Sequence, residues 1–158
     1  MAAAPVEIVI FELAGERYGI AAGSVKEVLR AVKISPVPRV HAGHIGIINL
    51  RGRIVSVFDP RPAVGLPPKA IEHGDNLLVL QLGDRLAAIA VDRALELRRL
   101  KRPDQTAEAR MDNTCVVSVA NEPDGLVLIL DPERLIAGVV DLAPAVAVPT
   151  PAAEEQRV

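Results

Sequence analysis

Three residues in this sequence are candidates for chemistry. His41 and His44 could together bind a metal ion, and Cys115, the only cysteine, could act as a nucleophile. The histidines are three positions apart, which suits a metal ion, but zinc needs at least one further protein ligand. Asp59 or His73 could supply it only if the fold brought them near. We therefore interpret both histidines as exposed loop residues. Cys115 begins an apolar run, which favours a small buried hydrophobe over a nucleophile.

The remaining motifs exclude several classes of enzyme and ligand. No serine lies within G-x-S-x-G, no Walker A lysine is present, and one cysteine cannot make a C-x-x-C pair. These absences leave no recognisable catalytic, metal or cofactor motif except the His41–His44 spacing, so a metal-dependent enzyme stays a competing hypothesis at this point. The chain has 18 basic and 20 acidic residues, with no Trp, one Tyr and two Phe. This balance lacks both the positive surface and the aromatic platforms of nucleic-acid binding proteins.

The apolar segments are too short for a membrane span. Those at 77–80 and 126–130 fall far below the roughly 20 residues that a transmembrane helix needs. The N-terminal residues lack the basic region and continuous apolar stretch of a signal peptide. We expect a cytoplasmic protein with no direct membrane insertion.

The elements that must position any site are mainly strands. Five short runs are rich in β-branched residues and bounded by polar or turn residues: 8–11, 54–58, 77–80, 115–119 and 126–130. Gly83-Asp84 and Ala14-Gly15-Glu16 are typical of hairpin turns. Helix signals are limited to a turn or two from Ser24 to Glu27, and to 132–138, where Asp131 can cap the helix. The class is all-β with one or two short helices.

An internal repeat organises these strands. Residues 11–21 resemble 80–90, and residues 52–60 resemble 125–132, so each half opens with a hairpin and closes with a strand that ends in Asp-Pro. The repeat predicts two related halves, roughly 6–70 and 75–138, that share a core because each is too small to be stable alone. The Pro/Ala-rich segment 143–158 is predicted to be a disordered tail.

The densest unusual segment contains a tight turn. Asn49 and Gly52 tolerate left-handed backbone, so Arg51 is expected at the tip of a turn between two strands. Arg51 is either an ordinary solvated arginine or an anchor for a partner, because a guanidinium offers a planar fork to carboxylates and carbonyls.

These segments resemble the CheW family of bacterial chemotaxis coupling proteins over about residues 6–138. The residues that carry the resemblance are Tyr18-Gly19-Ile20, Val25-x-Glu27-Val28, Asn49-Leu50-Arg51-Gly52, Asp59-x-Arg61, Val91-Asp92 and Leu128-x-Leu130-Asp131. The resemblance implies two five-stranded β-barrel subdomains that share a hydrophobic core. It also implies a non-enzymatic adaptor, with no catalytic residue, no metal site and no cofactor, in receptor arrays at the inner face of the membrane. Its partners would be the cytoplasmic tip of a methyl-accepting chemotaxis receptor and the regulatory domain of the histidine kinase CheA.

The same resemblance assigns candidate interface residues. The receptor would contact Val25, Glu27, Asn49, Arg51 and Gly52, which lie in or near one groove.

A second candidate interface would face the kinase near Val91 and Asp92. Departures from the family pattern in the second half leave an alternative open. The chain would then be a CheW-like regulator of another chemosensory system, for motility or pili, that binds the kinase side only.

Overall fold

The computed structural model describes residues 6–30, 34–36, 43–100 and 115–141. Within these ranges the chain forms ten β-strands and one α-helix. The strands are β1 (Val6–Leu13), β2 (Glu16–Ala21), β3 (Val25–Arg30), β4 (His44–Leu50), β5 (Arg53–Phe58), β6 (Asn76–Leu82), β7 (Arg85–Val91), β8 (Arg93–Leu100), β9 (Val116–Glu122) and β10 (Gly125–Leu130). The helix α1 spans Pro132–Asp141, and 3-10 turns occupy Ala22–Ser24 and Arg61–Val64. The predicted all-β class is confirmed.

The strands form two five-stranded sheets. The terminal sheet, which takes strands from both ends of the described chain, has the order β8-β1-β2-β10-β9. The central sheet has the order β3-β6-β7-β5-β4. Closed barrels were expected, but in the described residues β8 and β9 are the edges of one sheet, and β3 and β4 the edges of the other. In these residues, neither sheet is closed into a barrel by a continuous ladder between its edge strands.

The two sheets exchange their hairpins between the sequence halves. The hairpin β1–β2 belongs to the first half but lies between β8 and β10 of the second half. The hairpin β6–β7 belongs to the second half but lies between β3 and β5 of the first half. In both sheets the second hairpin strand pairs in parallel with its neighbour, β2 with β10 and β7 with β5. The sheets therefore do not coincide with residues 6–70 and 75–138.

Alternation of apolar side chains along the strands produces a core shared by the two sheets and a core within each sheet. Phe11 and Tyr18 stack with 6.0 Å between ring centroids. They pack with Leu78 and Ile89 of the central sheet in the shared core. Ile8 points to the opposite face of β1 and belongs to a cluster within the terminal sheet. A corresponding cluster lies within the central sheet.

The local predictions for turns and helices are largely confirmed. Gly83-Asp84 joins Leu82 to Arg85 as a two-residue turn, whereas the turn predicted over Ala14-Gly15-Glu16 is one residue shorter, because Glu16 already pairs with Leu13. Asp131 caps α1, since its carboxylate accepts the N–H of Glu133 at 3.1 Å.

Two local predictions differ from the structure, and one lies outside its described part. The helix continues past the predicted end at Gly138. Residues 25–27 belong to β3, and the turn predicted there precedes them.

In the described part of the chain, no helix is long and apolar enough to cross a membrane. Residues 143–158 lie outside the described residues.

Ion pairs and a β-bridge connect the opposite edges of the sheets. In the terminal sheet, Arg98 on β8 contacts Glu122, the last residue of β9, at 3.1 Å and Asp124 at 3.2 Å. Arg17 also contacts Asp124, at 2.7 Å. Hydrogen bonds from Arg98 and then Arg17 hold the pKa of Asp124 well below its usual range. These charged side chains therefore join the two edges without a backbone ladder.

In the central sheet, the segment that follows β3 pairs with β4. Ser35 and Ile47 exchange two backbone hydrogen bonds of 2.9 Å each. Gly46 makes this approach possible, because a Cβ there would lie 2.4 Å from the Ser35 carbonyl oxygen and 2.8 Å from Cγ2 of Ile34. The glycine is therefore required by the close approach of two backbone segments.

A methyl group at position 46 should test this packing. We expect Gly46→Ala to lower the free energy of unfolding by about 1–3 kcal/mol, because the backbone at Ser35 must move away from β4. Urea denaturation measures the change. Gly74→Ala is the matched control, since a Cβ at Gly74 meets nothing within 4 Å. Equal stability of Gly46→Ala and the control would contradict the close approach.

Candidate partner-binding site

The turn between β4 and β5 presents Arg51 to solvent. Leu50 pairs with Arg53, so Arg51 and Gly52 form a two-residue turn with φ of 52° and 86°. Both values are left-handed, as in the turns that match the twist of a hairpin. The Asn49 side-chain oxygen accepts the N–H of Gly52 at 2.8 Å. The predicted tip is confirmed, and its backbone is held by Asn49.

Arg51 is paired with Glu27, which lies on the opposite edge strand β3. The guanidinium donates two hydrogen bonds to the carboxylate, at 2.6 and 3.0 Å. The Arg51 side chain is 70% exposed, whereas that of Glu27 is 19% exposed. The hydrogen bonds from Arg51 lower the pKa of Glu27, and the pairing raises the pKa of Arg51. The two charges are therefore oriented as one unit across the open side of the central sheet.

The structure brings four of the five predicted receptor-facing residues together: Glu27, Asn49, Arg51 and Gly52. Val25 lies at the start of β3, where it packs against the shared core.

Two exposed apolar residues extend the shared core to the surface, and one of them, Val28, follows Glu27 in β3 but lies on the opposite face of the strand. Val28 is 45% exposed and pairs with Leu78, and Leu97 is 59% exposed and pairs with Val9. Leu78 and Val9 both pack in the shared core, so Val28 and Leu97 face the junction between the sheets. β8 contacts β6, the neighbour of β3, so the edge strands β3 and β8 border this junction. We call this surface, with Val28 and Leu97, the seam groove.

Sequence reasoning did not select Val28 and Leu97 as site residues. A signal was present, because the two residues are 69 positions apart, close to the spacing of the internal repeat. An apolar residue repeated at equivalent places of two edge strands indicates a shared surface. Val28 and Leu97 are therefore the part of the site that sequence analysis missed.

The predicted kinase-facing pair has a different environment. Val91 is fully buried in the shared core, so its side chain is inaccessible to a partner in this fold. Asp92 lies between β7 and β8, where the chain passes from one sheet to the other. Its carboxylate accepts the N–H of Ala14 at 2.7 Å, and its own N–H donates to the Glu12 carbonyl at 3.0 Å. Asp92 thus binds the β1–β2 hairpin to the connection between β7 and β8.

Arg61 connects Asp92 to a buried ion network. The Arg61 side chain is 4% exposed and donates to Asp59 at 3.0 Å and to Asp92. The ammonium group of Lys69 lies 3.6 Å from Asp92. Burial alone would raise the pKa of Asp92, but the hydrogen bond from Ala14 and the charges of Arg61 and Lys69 outweigh it and lower the pKa. The Asp59-x-Arg61 motif therefore acts inside the fold.

The histidine and cysteine interpretations have different outcomes. His44 is buried on β4 and stacks on Phe58 with 5.1 Å between ring centroids, so its interpretation as an exposed loop residue is wrong. His41 lies outside the described residues. Cys115 is buried, and burial raises the pKa of its thiol to about 11. Within the described ranges, no three His, Cys, Asp or Glu side chains are grouped to hold a metal ion.

The Asp92 network predicts a pH dependence of stability. A carboxylate with a folded pKa below its unfolded value of about 3.9 stabilises the fold above that pH. This contribution is lost as the pH falls through the folded pKa. Between about pH 5 and about pH 3, the unfolding free energy of the natural protein should therefore fall more steeply than that of Asp92→Asn.

Urea denaturation over this pH series measures both slopes. Asp84→Asn removes one negative charge from an exposed turn and serves as the control. Parallel pH profiles for Asp92→Asn and the natural protein would contradict the proposed role of the charge.

Comparison with known proteins places the chain in a family. Residues 7–140 match the model of the CheW-like domain. The chemotaxis protein CheW of Helicobacter pylori is 25% identical over 134 residues, covering 83% of this chain and 81% of that protein. Protein FrzA of Myxococcus xanthus is 30% identical over 98 residues, covering 62% of this chain and 61% of that protein.

A solved structure has the same architecture. The scaffolding protein TtCheW from Thermoanaerobacter tengcongensis superposes with a TM-score of 0.70 at 27% identity. The match covers 81% of this chain and 85% of that protein. With two five-stranded sheets around a shared core and a family match over most of its length, the chain belongs to the CheW-like domain family.

Proposed function

We propose that this chain is a non-enzymatic chemotaxis adaptor that couples the cytoplasmic tips of chemoreceptors to the histidine kinase CheA. Its place would be the cytoplasmic side of the membrane, in receptor arrays. The observation that carries the proposal is the exposed edge strand β3, which carries Glu27, paired with the exposed Arg51, on one face and the exposed Val28 on the other. The likeness to a scaffolding protein supports binding as the role of this surface.

The seam groove suits a helical hairpin. A helix that lays its apolar face along Val28 and Leu97 removes both side chains from water, which drives association. The exposed guanidinium of Arg51 can add hydrogen bonds to carbonyl or carboxylate groups of the helix, and these set its register. Apolar contact would therefore supply affinity, and the ion pair would supply orientation.

The kinase-facing surface remains a prediction near the crossing between β7 and β8. Because Val91 is buried, contact there would involve exposed neighbours such as Arg93, whose side chain is 65% exposed. A scaffold with two separate surfaces can hold receptor and kinase together, and repetition in an array strengthens contacts that are weak singly. Signal transfer then requires receptor states that differ in their affinity for the adaptor.

Reversal of the charge at Arg51 tests the proposed binding of the receptor tip. We expect Arg51→Glu to weaken binding of a receptor-tip hairpin from the same genome by about tenfold or more, because two carboxylates would then face each other at the groove. Isothermal titration measures this affinity, and the kinase regulatory domain is titrated in parallel. Arg85→Glu, at the exposed first residue of β7, is the matched control.

A charge swap separates a direct role of Arg51 from an internal one. Glu27→Arg with Arg51→Glu restores an ion pair without restoring the guanidinium at the tip. Full recovery of hairpin binding would contradict direct contact by Arg51. Binding of the kinase domain but not the hairpin by the natural protein would favour the kinase-side regulator instead.

Leu97 offers a second test of the seam groove. We expect Leu97→Asp to weaken hairpin binding by at least about tenfold, since burial of a leucine side chain contributes about 1.5–3 kcal/mol. Leu126→Asp is the matched control, because Leu126 is 58% exposed on the same sheet but lies outside the groove. Equal loss of hairpin binding in both variants would show that the groove is not the receptor site.

A further inference from the structure

The side chain of Asn76 joins the two walls of the seam groove. Its Nδ2 donates to the carbonyl oxygen of Leu29, near the end of β3, at 3.4 Å. Its Oδ1 accepts the backbone N–H of Ala94, near the start of β8, at 2.8 Å. One half-buried amide therefore bonds to edge strands that belong to different sheets.

The position of this amide is set by the central sheet. Asn76 is the first residue of β6, where its backbone pairs with Arg30 on one side and Val91 on the other. Because its backbone is paired on both sides, the position of the Asn76 side chain relative to the two sheets is fixed. The amide supplies a donor for one wall and an acceptor for the other, whereas aspartate lacks the donor and alanine lacks both.

The opposite end of the groove is arranged differently. By strand pairing, the position equivalent to Asn76 in the terminal sheet is Glu7, because Leu78 and Val9 are equivalent partners of Val28 and Leu97. The Glu7 carboxylate contacts Arg99 of its own sheet at 3.4 Å. An open pocket of about 600 Å³ lies here, lined by Val6, Glu7, Ala21, Ala22, Gly23 and Arg99. The groove is thus bridged at one end and open at the other.

We propose that Asn76 is a positioning residue that sets the separation of β3 and β8, and with it the width of the seam groove offered to the receptor hairpin. The inference rests on the proposed function. Asn76 would act through the walls, not by contact with the partner. Loss of the bridge would let β8 move relative to β3, so that a helix could no longer contact Val28 and Leu97 together.

Three variants of the full chain test the inference. Asn76→Ala removes both hydrogen bonds, and Asn76→Asp keeps an acceptor for the Ala94 N–H but loses the donor to Leu29. Gln81→Ala is the matched control, because the Gln81 amide lies on the same strand and donates to a turn, at the Gly83 carbonyl. The probes are a receptor-tip hairpin and the kinase regulatory domain from the same genome.

The expected result is a split between the two partners. Asn76→Ala should bind the hairpin about tenfold more weakly and the kinase domain with unchanged affinity, and its Ala94 amide hydrogen should exchange faster. Asn76→Asp should protect the Ala94 amide as the natural protein does and show an intermediate hairpin affinity. Gln81→Ala should match the natural protein in all three measurements.

The other outcomes contradict specific statements. If Asn76→Ala does not fold, the intermediate affinity of Asn76→Asp still decides the question, and an unchanged affinity overturns the inference. Faster exchange at Ala94 with unchanged hairpin binding overturns the positioning role and leaves the proposed function intact. Equal weakening toward both partners indicates general structural damage and also overturns it. Failure of the natural protein to bind the hairpin removes the receptor role and this inference together.

Discussion

Each hairpin of this protein is completed by strands from the other half of the chain, and the remaining structure depends on that exchange. A half of about 65 residues buries too little surface to be stable by itself. Here neither half contains a complete sheet, because β1–β2 lies between β8 and β10, and β6–β7 lies between β3 and β5. The shared core and the two sheets must therefore form together, and pairing over long sequence distances is expected to make folding slow.

The exchange also determines where polar side chains are needed inside the fold. At the points where the chain passes between sheets, backbone groups leave the regular ladders and need other partners. Asp92 supplies one such partner for the first hairpin, and Asn76 joins two edge strands across the junction. Arg61 and Asp59 add buried charge that is acceptable because each charge is paired. The crossings are thus held by specific side chains, whereas the sheet interiors are apolar.

Much of the fold could be predicted from local signals, and part of the site could not. Five of the ten strands follow from β-branched runs and were confirmed, whereas the charged strand β8 contains no such run and was not predicted. The repeat indicates similarity between halves but carries no information on which strands pair, so the exchange was not predicted. His44 was misinterpreted because its neighbours in the sequence suggest a loop, while its burial depends on Phe58 from the adjoining strand. Glu27 and Arg51 are 24 positions apart, and the expectation that they share one groove came from family resemblance alone.

The left-handed backbone at Arg51 has a consequence for how this turn tolerates sequence change. A residue with a side chain is strained at φ of 52°, whereas glycine or asparagine occupies that region at lower cost. Replacement by glycine would relax the turn but delete the guanidinium. A screen for thermal stability alone would therefore favour losing the feature on which recognition is proposed to depend. At this turn, conformational ease and partner recognition select for different amino acids.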